Sequence, residues 1–223
     1  MFLIKNFLLY LFFPWYRRGN RIIIHKPNGK IIESFSFWGL TVKFRGKNSV
    51  VELFEPIEFK RRVFSNRSVI RIDGNNNHIL IKNSNNNIRE LKVGGFGSNN
   101  KFTIGENFYL SGLCFVDFCG LDNMKLTIGD NCMFGQNIEI MLGDHHAIYD
   151  KITKECLNIS KKGIEIGNHV WLARDVSILK DVTIPNYCVV GKGSIVTKQF
   201  YQENAVLGGN PAKIVKDNID WKK

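Results

Sequence analysis

The residues of this 223-residue chain best suited to acid–base chemistry sit in one short stretch, Asp144-His145-His146-Ala147-Ile148-Tyr149-Asp150. Imidazole changes its protonation state near neutral pH. A histidine here can therefore take a proton from a poor nucleophile such as a hydroxyl and hand it to a leaving group. Asp144 or Asp150 can orient the ring and favour its cationic form, as can a backbone carbonyl. Adjacent histidines on an extended segment point to opposite sides. His145 and His146 are thus poor partners on one ion, a third ligand would have to come from His169 or another subunit, and no metal is expected. His25 and His78 read as surface or turn residues, and His169 as structural or cofactor-adjacent. Cys156, ten residues beyond His146, is taken as incidental rather than nucleophilic.

The elements that must carry this stretch have a period of six. From Ile166 to Lys198 an aliphatic residue recurs at Ile166, Leu172, Ile178, Ile184, Val190 and Val196. Four places after these come Val170, Val176, Val182, Cys188 and Ser194, and Gly or Ala follows directly at Gly167, Ala173 and Gly191. A helix needs apolar positions at 3.6 spacing and a half-buried strand at 2.0. A period of six fits a coil of short flat strands separated by corners, where glycine tolerates positive φ. Stacked coils of this kind form a parallel β-helix. The period starts at Ile104, Leu110 and Val116, is interrupted near 117–127, and resumes at Ile128, Phe134 and Ile140. Residues 143–163 break it completely. They should be extruded as a loop, and a long loop on a rigid scaffold is usually functional. Further upstream, Gly46-Lys-Asn, Gly74-Asn-Asn and Gly97-Ser-Asn each precede strand-forming residues, as corners built on Asn and Gly would.

Composition narrows the class. With 44% hydrophobic and 23% charged residues the chain is neither disordered nor an ordinary membrane protein. A net charge of +11 favours anionic partners, such as a polyphosphate, an anionic glycan or acidic lipid heads. No nucleic-acid-binding module is recognisable, so nucleic acid is not an expected partner. Five cysteines without CxxC spacing make neither a disulfide framework nor a zinc site. Cys114, Cys132 and Cys188 each follow a repeat aliphatic by four and read as small buried residues, which implies a reducing, cytoplasmic location. Residues 1–16 are apolar and lead into Arg17, Arg18 and Arg21. A helix ending before Pro14 would be about 20 Å long, short of a ~30 Å hydrocarbon core. Trp15 and Tyr16 beside arginines suit a membrane interface, and docking on the protein itself is the alternative. The expected organisation is an apolar and basic segment at 1–19, an irregular β cap at 20–65, the β-helix at 66–207 and a C-terminal tail at 208–223, part of it helical.

The repeats of residues 104–216, with the closing Gly-Gly-Asn-Pro-Ala-Lys-Ile-Val (Gly208 to Val215), resemble the hexapeptide-repeat acyltransferases. The loop is similar to the Asp-x-His-x-Ile-Tyr/Phe-Asp loop of their sugar and polysaccharide O-acetyltransferases. The resemblance implies a left-handed β-helix; spacing is silent on hand, and most parallel crossovers are right-handed. It implies a homotrimer with active sites between subunits and acetyl-CoA as co-substrate. Acetyl transfer would go directly to a hydroxyl of a bacterial surface glycan such as capsule or O-antigen. It maps the general base onto His146, with His145 the alternative, and puts Tyr149 and Asp150 beside the acceptor. Trp171 would lie along the pantetheine arm. Ala173, Arg174, Lys192, Thr197 and Lys198 would contact acetyl-CoA, and Pro211 and Lys213 would lie near its adenosine phosphates. Lys192 departs from the family pattern, which has a small residue there. A lipid-linked glycan at the inner membrane face is an acceptor that the apolar N-terminus suits. The alternatives are an amino-sugar N-acetyltransferase of the same fold and a non-catalytic scaffold or glycan-binding module.

Overall fold

The computed structural model describes residues 14–60 and 67–222. The expectation of an apolar helix ending at Phe13 lies outside the described residues, and Pro14–Arg17 forms one short helical turn, α1. Among the described residues, no helix is long and apolar enough to cross a membrane.

The six-residue period is the core of the molecule. Ile166, Leu172, Ile178, Ile184, Val190 and Val196 are fully buried, and Val170, Val176, Val182, Cys188 and Ser194 are buried beside them. Each aliphatic closes a short strand that stacks on its equivalent one coil away, giving three sheets around one apolar interior. The first sheet stacks β1 (Arg21–His25), β4 (Val50–Phe54), β7 (His78–Ile81), β10 (Lys101–Ile104), β13 (Lys125–Ile128), β16 (Ile164–Ile166) and β19 (Thr183–Ile184) in parallel, and β2 (Ile31–Ser34) closes its edge antiparallel to β1. The second holds β5 (Glu58–Lys60), β8 (Asn87–Arg89), β11 (Tyr109–Leu110), β14 (Met133–Phe134), β17 (Trp171–Leu172), β20 (Val189–Val190) and β22 (Val206–Gly209), edged by β23 (Ala212–Lys216). The third holds β3 (Leu40–Phe44), β6 (Ser68–Ile72), β9 (Leu91–Gly94), β12 (Cys114–Asp117), β15 (Ile138–Met141), β18 (Ser177–Ile178) and β21 (Ile195–Val196).

Ile166 pairs with Ile184 and Leu172 with Val190, eighteen residues on, so three hexapeptides make one coil. Phe134 pairs with Leu172 across thirty-eight residues because the 143–163 loop leaves that coil. Ile104 pairs with Ile128 across twenty-four, where the interruption near 117–127 widens a corner. The corners themselves differ from expectation. Positive φ falls three places after the aliphatic, at His169, Asp175, Asp181, Tyr187 and Gly193, and not at Gly167 or Gly191. Gly167 answers a different need, because a Cβ there would lie 2.7 Å from the Asn186 amide nitrogen of the next coil. Asn48, Asn76 and Asn99 hold the left-handed positions of the upstream corners, as Asn can. The buried amides tie coil to coil: Asn77 accepts from the Asn100 N–H at 2.9 Å, and Asn100 from Met124 at 2.6 Å.

Two ends correct the expected organisation. Residues 21–60, expected as an irregular cap, already ladder in the sheets; Ile24 pairs with Leu53, and Leu53 with Ile81. Their coils run to twenty-nine and twenty-eight residues, and such long corners hide the period. The tail is not helical: β22 and β23 form an antiparallel hairpin. The open edge of the second sheet offers backbone groups to a returning strand, and Ile214 and Val215 favour extended backbone. Beyond it, the Trp221 indole donates to the His169 carbonyl at 2.9 Å and stacks on its ring at 4.2 Å. His169 is thus a structural anchor for the tail.

Candidate active site

The loop leaves the third sheet after β15 and returns at β16, so it stands at the corner between the third and first sheets. Its two legs meet at Tyr149 and Cys156, with Leu157 N–H donating to the Ile148 carbonyl at 2.7 Å. Asn158 ties the legs together. Its amide donates to Asp144 Oδ2 at 2.6 Å and to the His146 carbonyl at 2.9 Å, while its Oδ1 accepts from Ile148 N–H at 2.7 Å. From the next coil, Lys180 donates to the Asp144 carboxylate and to the Asn158 carbonyl. The Lys180 ammonium, aided by the Asn158 amide, holds the Asp144 carboxyl below the usual carboxylate range despite some burial. On the return leg, Asp181 accepts from the N–H groups of Lys161, Lys162 and Gly163.

The two histidines have different surroundings. His145 Nε2 lies 3.3 Å from Asp117 Oδ2, a carboxylate at the end of β12 on the preceding coil. The exposed His146 ring makes no hydrogen bond or ion pair among the described residues; its main chain alone is held. The ring-orienting role expected of Asp144 or Asp150 is not what the geometry provides. Asp144 is engaged by Lys180 and Asn158. Asp150 accepts from Ile152 and Thr153 N–H at 2.7 Å each, closing its own turn, and those donors keep its carboxyl below the usual range. Tyr149 stands 61% exposed. Cys119, two places after Asp117, donates its thiol to the Gly143 carbonyl at 3.2 Å, and burial followed by the Asp117 charge pushes that thiol up. All five cysteines are free, with Cys114, Cys132 and Cys188 buried.

The residues expected at acetyl-CoA fall into two groups. Thr197 and Lys198 follow β21 at the corner that carries the loop, two coils further on. Trp171 opens β17 in the second sheet, half-buried with its ring centroid 5.9 Å from that of Trp221. Ala173, Arg174 and Lys192 sit at the corner after the second sheet, and Pro211 and Lys213 on its edge hairpin. Within one chain the third sheet separates these groups. The Ala173 N–H is taken by the Val190 carbonyl at 2.9 Å, so that amide is not free for a ligand. Arg174 donates to Gln136, and Lys192 lies 4.0 Å from Asp175. Lys198 and Lys213 are exposed and have no carboxylate partner among the described residues, which suits phosphate groups. Asp117, Asn158 and Lys180 escaped the sequence reading. The break in the period at 117–127 was the available signal for Asp117; nothing local marked the other two.

No protein-family model matches the chain. It is 35% identical over 102 residues to the polysialic acid O-acetyltransferase of Escherichia coli O1:K1 / APEC, covering 46% of this chain and 33% of that protein. It is 34% identical over 128 residues to the galactoside O-acetyltransferase of Escherichia coli (strain K12), covering 57% and 59%. The matches thus span from a third to three fifths of the length of these curated relatives. Among solved structures, that of the polySia-specific acetyltransferase NeuO superposes with a TM-score of 0.74 at 28% identity, covering 92% of this chain and 85% of that one. With the six-residue period buried in three parallel sheets, the chain is similar in sequence and fold to hexapeptide-repeat acetyltransferases, and its fold is a left-handed parallel β-helix.

Proposed function

We propose that the protein is an O-acetyltransferase that moves the acetyl group of acetyl-CoA onto a hydroxyl of a bacterial surface glycan, with His146 as general base. The observation that carries this reading is the exposed His146 imidazole, which has no hydrogen-bond or ion-pair partner among the described residues, on a loop whose backbone is clamped by Asn158. The base takes the proton of the acceptor hydroxyl as the hydroxyl oxygen attacks the thioester carbonyl. The resulting imidazolium returns that proton to sulfur as the C–S bond breaks. No acyl-enzyme is involved. Acetyl-CoA supplies the activated acyl group; Lys198 and Lys213 would meet its phosphates and Trp171 its pantetheine arm. The names of the relatives, which act on polysialic acid and galactosides, support a glycan acceptor.

The two groups of cofactor residues come together if one chain's loop faces a neighbour's coils, so the active unit is read as a homotrimer. Ile148, Ile152, Leu157 and Ile159 on the loop are 58–90% exposed, an apolar surface that a neighbouring subunit would cover. The enzyme is placed in the cytoplasm, at the inner face of the membrane. Deleting residues 1–16 should then release it from membrane fractions, and unchanged partitioning overturns that placement.

The test of the activity is thiol release from acetyl-CoA across polymeric and lipid-linked glycans and amino-sugar nucleotides. Glycan-dependent release that His146→Ala abolishes and His145→Ala retains supports the reading. Loss in His145→Ala alone moves the base by one residue. Release with amino sugars alone replaces O- by N-acetylation, and absence of acetyl-CoA binding leaves a scaffold.

A further inference from the structure

The outer face of the third sheet carries a groove of about 260 Å³ beside the loop. Outward positions of β3, β6, β9 and β12 stack in register: Lys43 on Arg71 in one column, Val69 on Lys92 and Lys92 on Phe115 in the next. Gly94, paired with Asp117, lacks a side chain and leaves a gap between Arg71 and Asp117. A Cβ on Gly94 would stand 3.8 Å from the Arg71 guanidinium, and one on Gly95 would strike the Asp117 carboxylate. The floor is therefore glycine, with cations at one end and the Asp117–His145 pair at the other.

The cations are available. Lys43 and Lys92 make no ion pair with any described residue, and Arg71, joined to Asp73 at 3.0 Å, is still half exposed. Phe115, 38% exposed, offers an aromatic face in the same groove. Cations beside a flat apolar face suit a carboxylated sugar, its acid on the Lys and Arg groups and its C–H face on the ring. Asp117 repels a carboxylate from the loop end, which orients such a sugar with its acid away from His146.

We infer that this groove binds acidic sugar units of the acceptor next to the one being acetylated, making the enzyme selective for a carboxylated glycan; the inference rests on the acetyltransferase reading above. The measurement is calorimetric titration of the full chain with oligomers of sialic acid and of a uronic acid, each against its counterpart with the carboxyls reduced to alcohols. Wild type should bind one carboxylated oligomer at least about tenfold more tightly than its reduced form, and less tightly as salt rises. Lys92→Glu and Lys43→Glu should each weaken that binding by about tenfold or more, with unchanged melting temperature and unchanged affinity for the reduced oligomer. Equal affinity for charged and reduced oligomers, binding of neither acid, or wild-type affinity in both variants overturns the inference. Thiol release separates the two readings. Release with the reduced acceptor as readily as with the charged one removes the groove and keeps the transferase. Carboxylate-selective binding without release for any acceptor does the reverse.

Discussion

The side-chain amide of Asn158 donates to the main-chain carbonyl of His146 at 2.9 Å, so the proposed base is positioned through its backbone while its exposed ring makes no hydrogen bond among the described residues. The same amide grips Asp144, and its oxygen takes the Ile148 N–H. One residue on the return leg thus sets the path of the outgoing leg over five positions. Asn158→Ala should lower kcat by about 10- to 100-fold, the usual cost of a small misplacement of a catalytic group. KM for acetyl-CoA and the melting temperature should hardly change. A variant with wild-type kcat would show that the loop keeps its shape without this clamp.

Lys180 and Asp144 act as one unit, and their variants should show it. Lys180→Met and Asp144→Asn each break the same contact, so each should reduce glycan-dependent thiol release, and the double variant should be no worse than the weaker single one. Additive losses in kcat would mean that the two residues serve separate ends.

Glu52 gives the first sheet a pH dependence. Burial raises its carboxyl, but hydrogen bonds from His78 at 2.8 Å and His25 at 2.9 Å more than offset that, leaving it below the ordinary value. A carboxyl lower in the folded than in the unfolded state stabilises fully above the unfolded pKa and loses that contribution as pH falls through the folded value. Urea midpoints of wild type and Glu52→Gln should therefore differ near pH 7 and converge towards about pH 3. Parallel midpoints across that range would remove the assignment.

Coil spacing makes an opposite pair of glycine predictions. A Cβ on Gly74 would lie 2.0 Å from the Gly97 carbonyl oxygen, so Gly74→Ala must push two coils apart, at about 1–3 kcal/mol in chemical denaturation. On Gly191 the nearest atom would be 3.6 Å away, and its φ lies outside the left-handed region. Gly191→Ala should be neutral or stabilising by up to about 1 kcal/mol. Equal effects of the two would contradict the stacking geometry.

Much of this molecule is local and therefore legible along the chain. The inward direction of Ile166, Leu172, Ile178 and their successors follows from a six-residue strand-and-corner unit that repeats whatever lies above or below it, and all of them are buried. The burial of Cys114, Cys132 and Cys188 and the extrusion of 143–163 follow from the same phase. Contacts between coils are not local. Asp117 meets His145, and Lys180 meets Asp144, because corner insertions set coils of twenty-four, thirty-eight and eighteen residues that bring distant positions into one column. The same lengths hid the coils of residues 21–60 and split the expected cofactor residues between two faces of one chain. The sequence by itself determined which side chains point inward and where the loop departs. Tertiary structure decided which outward side chains meet, because that depends on how many residues each corner adds before the next coil closes.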